Sequence, residues 1–165
     1  MPNILEEIKE DNREAAEWLL YYPFRRQQFY KNKKDAICAS ATLQQVITRT
    51  GPGNPTAIQA MRLTNLDEDE KWLEVVEILE SLLSEKKLIF LKYRREAAYI
   101  TKRVRGRAAW VLYVQRHYAD EMALQYRTQP EKFWLSERTI RDWWGQMVEL
   151  AARIATKRGN FKKSK

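Results

Sequence analysis

The chain is poor in the residues that most often carry chemistry. Its 165 residues include one cysteine and one histidine. A lone Cys38 excludes an internal disulfide framework and suits a reducing compartment. Its small and apolar neighbours, Ala36, Ile37 and Ala39, predict a buried structural thiol. With His117 as the only histidine, histidine metal clusters and most histidine acid–base pairs are excluded. Gly51-Pro52-Gly53 lacks the lysine and the Ser/Thr that would hold a phosphate and a magnesium ion. No Ser–His–Asp or Cys–His order stands out either. We therefore expect no catalytic residue, no metal, no cofactor and no enzyme activity. Apolar runs are also short. None approaches the roughly twenty residues of a membrane span, and the start Met1-Pro2-Asn3-Ile4-Leu5 has no signal-peptide pattern. The expectation is a soluble, cytoplasmic protein with no membrane partner.

Breakers and strand patterns are scarce as well. Five glycines and five prolines punctuate the sequence, strand alternation is nearly missing, and no internal repeat is visible. Helical periodicity predominates, so the predicted fold class is all-α. A first helix is predicted from Asn3, its cap, to about residue 20, with Ile4, Ile8, Ala15, Trp18 and Leu19 apolar. Tyr21-Tyr22-Pro23 should break it, because the residue before a proline is pushed out of the α region. One or two helices follow to about Thr48. The loop Gly51–Asn54 then leads to a short helix that Pro55 opens and Leu63 ends.

The acids Asp67 to Glu70 predict the first turn of another helix, where the helix dipole favours them. Its apolar stripe is Trp72, Val75, Val76, Leu79, Leu82 and Leu83. Ser84 should interrupt that stripe and start a helix from Glu85 to about Ala98. Tyr99 to Arg105 reads as a loop or a short extended piece. A helix over 107–127 carries Val111, Val114, Tyr118, Met122 and Tyr126 on one stripe, and Thr128-Gln129-Pro130 stops it. These signals divide the chain into a helical N-terminal region, 1–65, a DNA-binding half, 66–158, and a basic, disordered tail, 159–165.

What the chain has in excess is base and aromatic surface. Thirty Lys and Arg against twenty-two Asp and Glu give a formal net charge of +8, which favours polyanionic partners through counterion release. Acid is concentrated from Asp67 to Glu80. Base is concentrated around Arg25 to Lys34, from Lys92 to Arg107, and from Arg153 to Lys165. We expect these blocks to form separate surfaces or segments. The six tryptophans and eight tyrosines read mainly as core. Tyr21, Tyr22, Phe24 and Tyr30, beside Arg25 and Arg26, leave base stacking as an alternative.

The most informative stretch is Trp134-Leu135-Ser136-Glu137-Arg138-Thr139-Ile140-Arg141-Asp142-Trp143-Trp144. Ser136 is a good N-cap. Ile140, Trp143, Trp144, Met147, Ala151 and Ile154 make one buried stripe, while Arg138, Arg141, Asp142 and Gly145 fall off it. A major-groove helix needs this division between a domain-facing stripe and polar residues at its N-terminal end. Arg138 and Arg141 are the candidates to reach base edges, with Asp142 selecting and Gln146 beside them. Thr139 is a phosphate contact or a capping residue. Lys102, Arg103, Arg105, Arg107, Lys157 and Arg158 are candidate phosphate contacts.

With these residues in view, the C-terminal half resembles the sigma-factor region-four type of helix-turn-helix. More narrowly, it is similar to phage-encoded late transcriptional regulators of the RinA and ArpU kind. The matching pieces are Leu82 to Tyr93, Tyr118-Ala119-Asp120-Glu121-Met122-Ala123 as first motif helix, and Leu135 to Trp143 as recognition helix. The segment Gly53 to Ile58 adds a weak match in the N-terminal half. One departure is the turn. A compact motif uses three or four residues, whereas Thr128 to Leu135 separates these helices, so Pro130 to Trp134 should form a small wing or an extra turn. The resemblance implies a phage or prophage protein that binds double-stranded DNA, acts on transcription and does no catalysis; RNA polymerase and a second copy of the chain are candidate further partners. Two alternatives remain: a small terminase subunit recognising packaging DNA, and a helical adaptor that docks a protein through the acidic face 67–80.

Overall fold

The computed structural model describes residues 3–46, 55–100 and 109–161, with side chains described through residue 39 and again from residue 60. Among these residues it is all-helical, as expected. The elements are α1 (Ile4–Val46), α2 (Pro55–Leu82), α3 (Glu85–Ile100), α4 (Ala109–Tyr126), a short 3₁₀ turn (Pro130–Phe133) and α5 (Glu137–Arg158). No helix among the described residues is long and apolar enough to cross a membrane.

One core joins all five helices. Ala15, Trp18, Leu19, Tyr22 and Phe29 of α1 meet Trp72, Val75, Val76 and Leu79 of α2, Phe90 and Leu91 of α3, Val111, Val114, Tyr118 and Met122 of α4, and Ile140, Met147 and Ala151 of α5. Trp18 and Trp72 stack face to face, with centroids 5.7 Å apart and planes 7° apart. The division read at 65/66 falls inside α2, and the two halves share this core.

Two predicted breaks are overturned. The first is Pro23, which lies inside α1, a helix of 43 residues. Proline removes one N–H and so frees the carbonyl four residues earlier, here that of Leu19. Arg95 of α3 donates its Nε–H to the Leu19 oxygen at 2.8 Å. The bond that α1 cannot make for itself is supplied by another helix, and α1 continues. The second is the stop at Leu63. α2 runs unbroken through Thr64-Asn65-Leu66, so Asp67 to Glu70 sit mid-helix rather than in a first turn.

Other boundaries agree with the sequence. Asn3 Oδ1 accepts from the Leu5 N–H at 3.2 Å at the start of α1. Ser84 accepts from the Leu88 N–H at 2.9 Å at the start of α3. α4 ends at Arg127, which takes a left-handed conformation (φ 50°), while the Thr128 N–H bonds back to Ala123 O at 2.9 Å. That closure is one usually assigned to glycine. Pro130 to Phe133 form an extra turn rather than a wing.

The start of the basic tail is not loose. Gly159, with φ 72°, caps α5 by donating its N–H to Ala155 and Thr156 oxygens. Phe161 then meets Trp72 edge-on at 5.4 Å. Cys38 is a further correction: it is exposed. Its apolar neighbours lie on the part of α1 beyond Phe29, where the core has ended and Ile37 is 62% exposed.

Candidate nucleic-acid interface

α5 is built from its cap inward. Ser136 Oγ accepts the Thr139 N–H at 3.1 Å and shares a hydrogen bond with the Thr139 hydroxyl at 2.8 Å. Thr139 is thereby committed to the cap. The lead-in is pinned too, because Gln115 of α4, the one buried polar residue among the described residues, donates Nε2–H to Leu135 O at 2.6 Å. Behind the cap, Ile140, Met147, Ala151 and Ala155 are fully buried. Trp143 turns inward and meets Phe90 and Tyr118 edge-on at 5.6 and 6.1 Å. Trp144 covers Arg94 on the neighbouring helix α3.

The outward side holds the expected residues. Arg138, Arg141, Asp142, Gly145 and Gln146 are all exposed. Arg138 is the most open, at 92% of its side chain, with only a long 3.8 Å pair to Asp142. Arg141 lies against Glu137, Nη2 to Oε1 at 2.7 Å. Both pairs are exposed i,i+4 contacts worth a few tenths of a kcal/mol, so either arginine can exchange its carboxylate for another acceptor at little cost. A Cβ built on Gly145 would meet nothing within 4 Å, and the surface beside it is correspondingly clear.

Lys157 and Arg158 are also exposed, but at the opposite end of the helix. At about 1.5 Å per residue they stand roughly 28 Å from Arg138 along the axis. Arg158 ties α5 to α2 through Glu74 at 2.5 Å. Lys102, Arg103, Arg105 and Arg107 lie outside the described residues, as do the loop Gly51–Asn54 and the lysines beyond Phe161.

The acidic and basic blocks do not form separate surfaces. Glu70 pairs with Lys33 at 3.4 Å, Glu74 with Arg158, and Glu80 with Arg95 at 2.6 Å. Glu77 accepts from the Tyr22 hydroxyl at 3.1 Å, and burial with that bond pushes the phenol up to about 12. The acidic face thus meets basic and phenolic partners within the chain, through exposed pairs at Glu70 and Glu74 and a more buried one at Glu80. Of the aromatic residues considered for stacking, Tyr22 is buried, whereas Phe24 and Tyr30 are exposed.

His117 packs among rings, 4.1 Å from Tyr113 and 5.6 Å from Tyr93. Glu121 beside it accepts from Lys92 at 2.8 Å and from the Tyr93 hydroxyl, and both bonds hold its carboxyl below the usual range. Among the described residues no three metal-ligating side chains converge.

One feature escaped the sequence reading. Arg94 lies between the indoles of Trp110 and Trp144, with Cζ 4.1 and 4.6 Å from their centroids. Its spacing to Trp110 crosses a helix boundary, so no local pattern signals it. Compared with family models, with curated proteins and with solved structures, the chain matches none.

Proposed function

We propose that the protein is a sequence-specific double-stranded DNA-binding protein that places the first two turns of α5 in the major groove. The observation that carries this reading is the two-sided build of α5. Its cap and buried stripe fix the helix, and Arg138, Arg141, Asp142 and Gln146 stand outward beside an open Gly145. Arginine and glutamine there have the geometry to meet base edges bidentately. The chain's excess of base supplies the sequence-independent attraction. The likeness to sigma region four and to RinA- and ArpU-type regulators supports a role in phage or prophage transcription, in the cytoplasm of a bacterial host and without catalysis. For the adaptor alternative, Glu80 is engaged by Arg95 in a largely buried pair, whereas the exposed pairs of Glu70 and Glu74 can exchange as readily as those of Arg138 and Arg141.

The test is an anisotropy titration against DNA from the protein's own genomic neighbourhood, with excess random competitor and at two salt concentrations. Retention of one fragment against competitor supports the reading. A fragment ahead of late genes marks a regulator, and a packaging site marks a terminase subunit. On that fragment Arg138→Ala or Arg141→Ala should cost about 1–3 kcal/mol and relax discrimination at one position. Equal losses on every sequence would remove their base-reading role.

A further inference from the structure

Arg94 and Arg95 are neighbours on α3 with opposite fates. Arg95 reaches Glu80 at 2.6 Å and the Leu19 carbonyl at 2.8 Å. Among the described residues Arg94 has no hydrogen-bond or ion-pair partner, and its Nε is buried without one. A buried guanidinium without a counter-charge costs free energy. Burial accordingly lowers its pKa to about 10, with the Tyr21 hydroxyl as the one group acting the other way. The two indoles offset part of that cost by cation–π attraction. Their positions also decide what is left over. Both rings stand within cation–π distance of the guanidinium carbon, and a ring at that distance accepts no full N–H hydrogen bond, so the donors of Arg94 have capacity left over. Arg94 is not sealed off: the residue as a whole is half-buried, and Nε is its one atom counted as buried without a partner. A fork of donors held rigid in this way matches the oxygens of a phosphate.

The surroundings suit an anion. Arg141 brings a second guanidinium to the same Trp110 ring, at 5.9 Å, although Glu137 screens it in the free protein. Trp144 and Arg141 both belong to α5, in the turns that carry the outward residues. A group bound at Arg94 would therefore lie alongside those turns.

We infer that Arg94, clamped between Trp110 and Trp144, is a phosphate-binding arginine, and that in the DNA complex its ligand is a backbone phosphodiester flanking α5. The second half of this inference rests on the DNA-binding reading. A phosphate contact beside the recognition helix fixes register and orientation and carries no sequence information of its own.

The experiment follows the side-chain Nε–Hε signal of Arg94 by NMR in the full-length protein, with the resonance identified by its loss in Arg94→Lys. Inorganic phosphate and a short mixed-sequence duplex are titrated separately. Both are expected to move the signal saturably. Arg94→Gln should weaken duplex binding about tenfold on every sequence alike and reduce the salt slope by about one. Arg94→Lys should recover only part of the loss, because an ammonium keeps the charge without the fork. A signal that responds to phosphate in a protein that binds no duplex would keep the site and sink the DNA reading. Duplex binding with an unmoved Arg94 signal would sink the site and leave the DNA reading standing. A signal unmoved by either titrant would overturn the inference outright. These outcomes are read on the unmutated chain, so a variant that fails to fold does not obscure them.

Discussion

The five-helix body and the outer end of the α1–α2 pair use similar residues to opposite effect. In the body, the apolar side chains of the shared core pack across neighbouring helices and leave solvent, although Leu82 at the end of the α2 stripe stays 63% exposed. Beyond Phe29 on α1 and before Leu66 on α2, Ile37, Met61 and Leu63 are 62%, 69% and 51% exposed. Local composition does not separate the two regions. What separates them is reach. At about 1.5 Å per residue, the 43 residues of α1 extend roughly 64 Å, against about 33 Å for the 22 residues of α5. The longer helix outruns the others, and only α2 accompanies it.

The largest effect should come from truncating one residue on each side of that divide. Ile140 is fully buried and Ile37 is not. Ile140→Ala should lower the unfolding free energy by about 2–5 kcal/mol, as cavity-forming substitutions do. Ile37→Ala should cost about 0.5 kcal/mol or less. Denaturant melts of the two variants provide the check. Similar losses would show that the outer end is packed in solution and erase the contrast.

Arg95 is where α3 holds α1 through its proline. Arg95→Met keeps much of the side-chain volume while orphaning the Leu19 carbonyl and the Glu80 carboxylate. We expect a loss of about 2–3 kcal/mol, since stranded acceptors cost their desolvation. If α1 instead tolerates Pro23 unaided, Arg95→Met will change little. Combining it with Pro23→Ala tests the mechanism, because an alanine N–H at position 23 satisfies the Leu19 carbonyl from within the helix. The double variant should be more stable than Arg95→Met alone.

Those two residues also show where a sequence stops being readable. The start of α5 was legible because its information is local: Ser136 caps, Thr139 is three positions on, and Ile140, Met147 and Ala151 recur at helical spacing. The outward set of Arg138, Arg141, Asp142 and Gln146 followed from the same periodicity. Pro23 was misread because its remedy lies on α3, far along the chain. The acids Asp67 to Glu70 resemble a helix start, but two of them, Glu70 and Asp69, interact with Lys33 and Arg25 of α1 across the α1–α2 contact. Cys38 is exposed for the reason Ile37 is: apolar neighbours in sequence do not bury a side chain where the core has ended. Arg94 was missed because its two tryptophans lie on different helices.

A smaller effect is expected at the cap. Ser136→Ala removes the acceptor for the Thr139 N–H and should cost about 1 kcal/mol. The same change frays the turn that carries Arg138, so DNA affinity should fall more than the stability loss alone would cause. Ser136→Asp restores an acceptor and adds a charge favoured at a helix N-terminus. It should recover the stability, but repel DNA. Separate readouts, thermal melting for the fold and anisotropy for binding, should therefore part company in that variant.

The smallest effect lies at the α1–α2 contact, where Asp69 of α2 and Asp11 and Glu14 of α1 line one cleft. Burial is the chief cause that raises the Asp69 carboxyl above its ordinary 3.8; Arg25 opposes the shift and Glu68 adds to it. Asp11 and Glu14 are also raised, again first by burial. A carboxyl raised in the folded state binds its proton more tightly there than in the unfolded chain. Its favourable contribution is thus complete below the ordinary value and is lost as pH climbs through the raised one. At neutral pH, ionised Asp69 therefore opposes folding. Asp69→Asn should raise the melting temperature at pH 7 by the equivalent of about 0.5 kcal/mol or less, given solvent screening. The gap between variant and parent should close as the pH falls towards 4. A gap that is constant with pH would assign the gain to the amide itself, and a lower melting temperature at pH 7 would mean that the attraction of Arg25 outweighs burial at this contact.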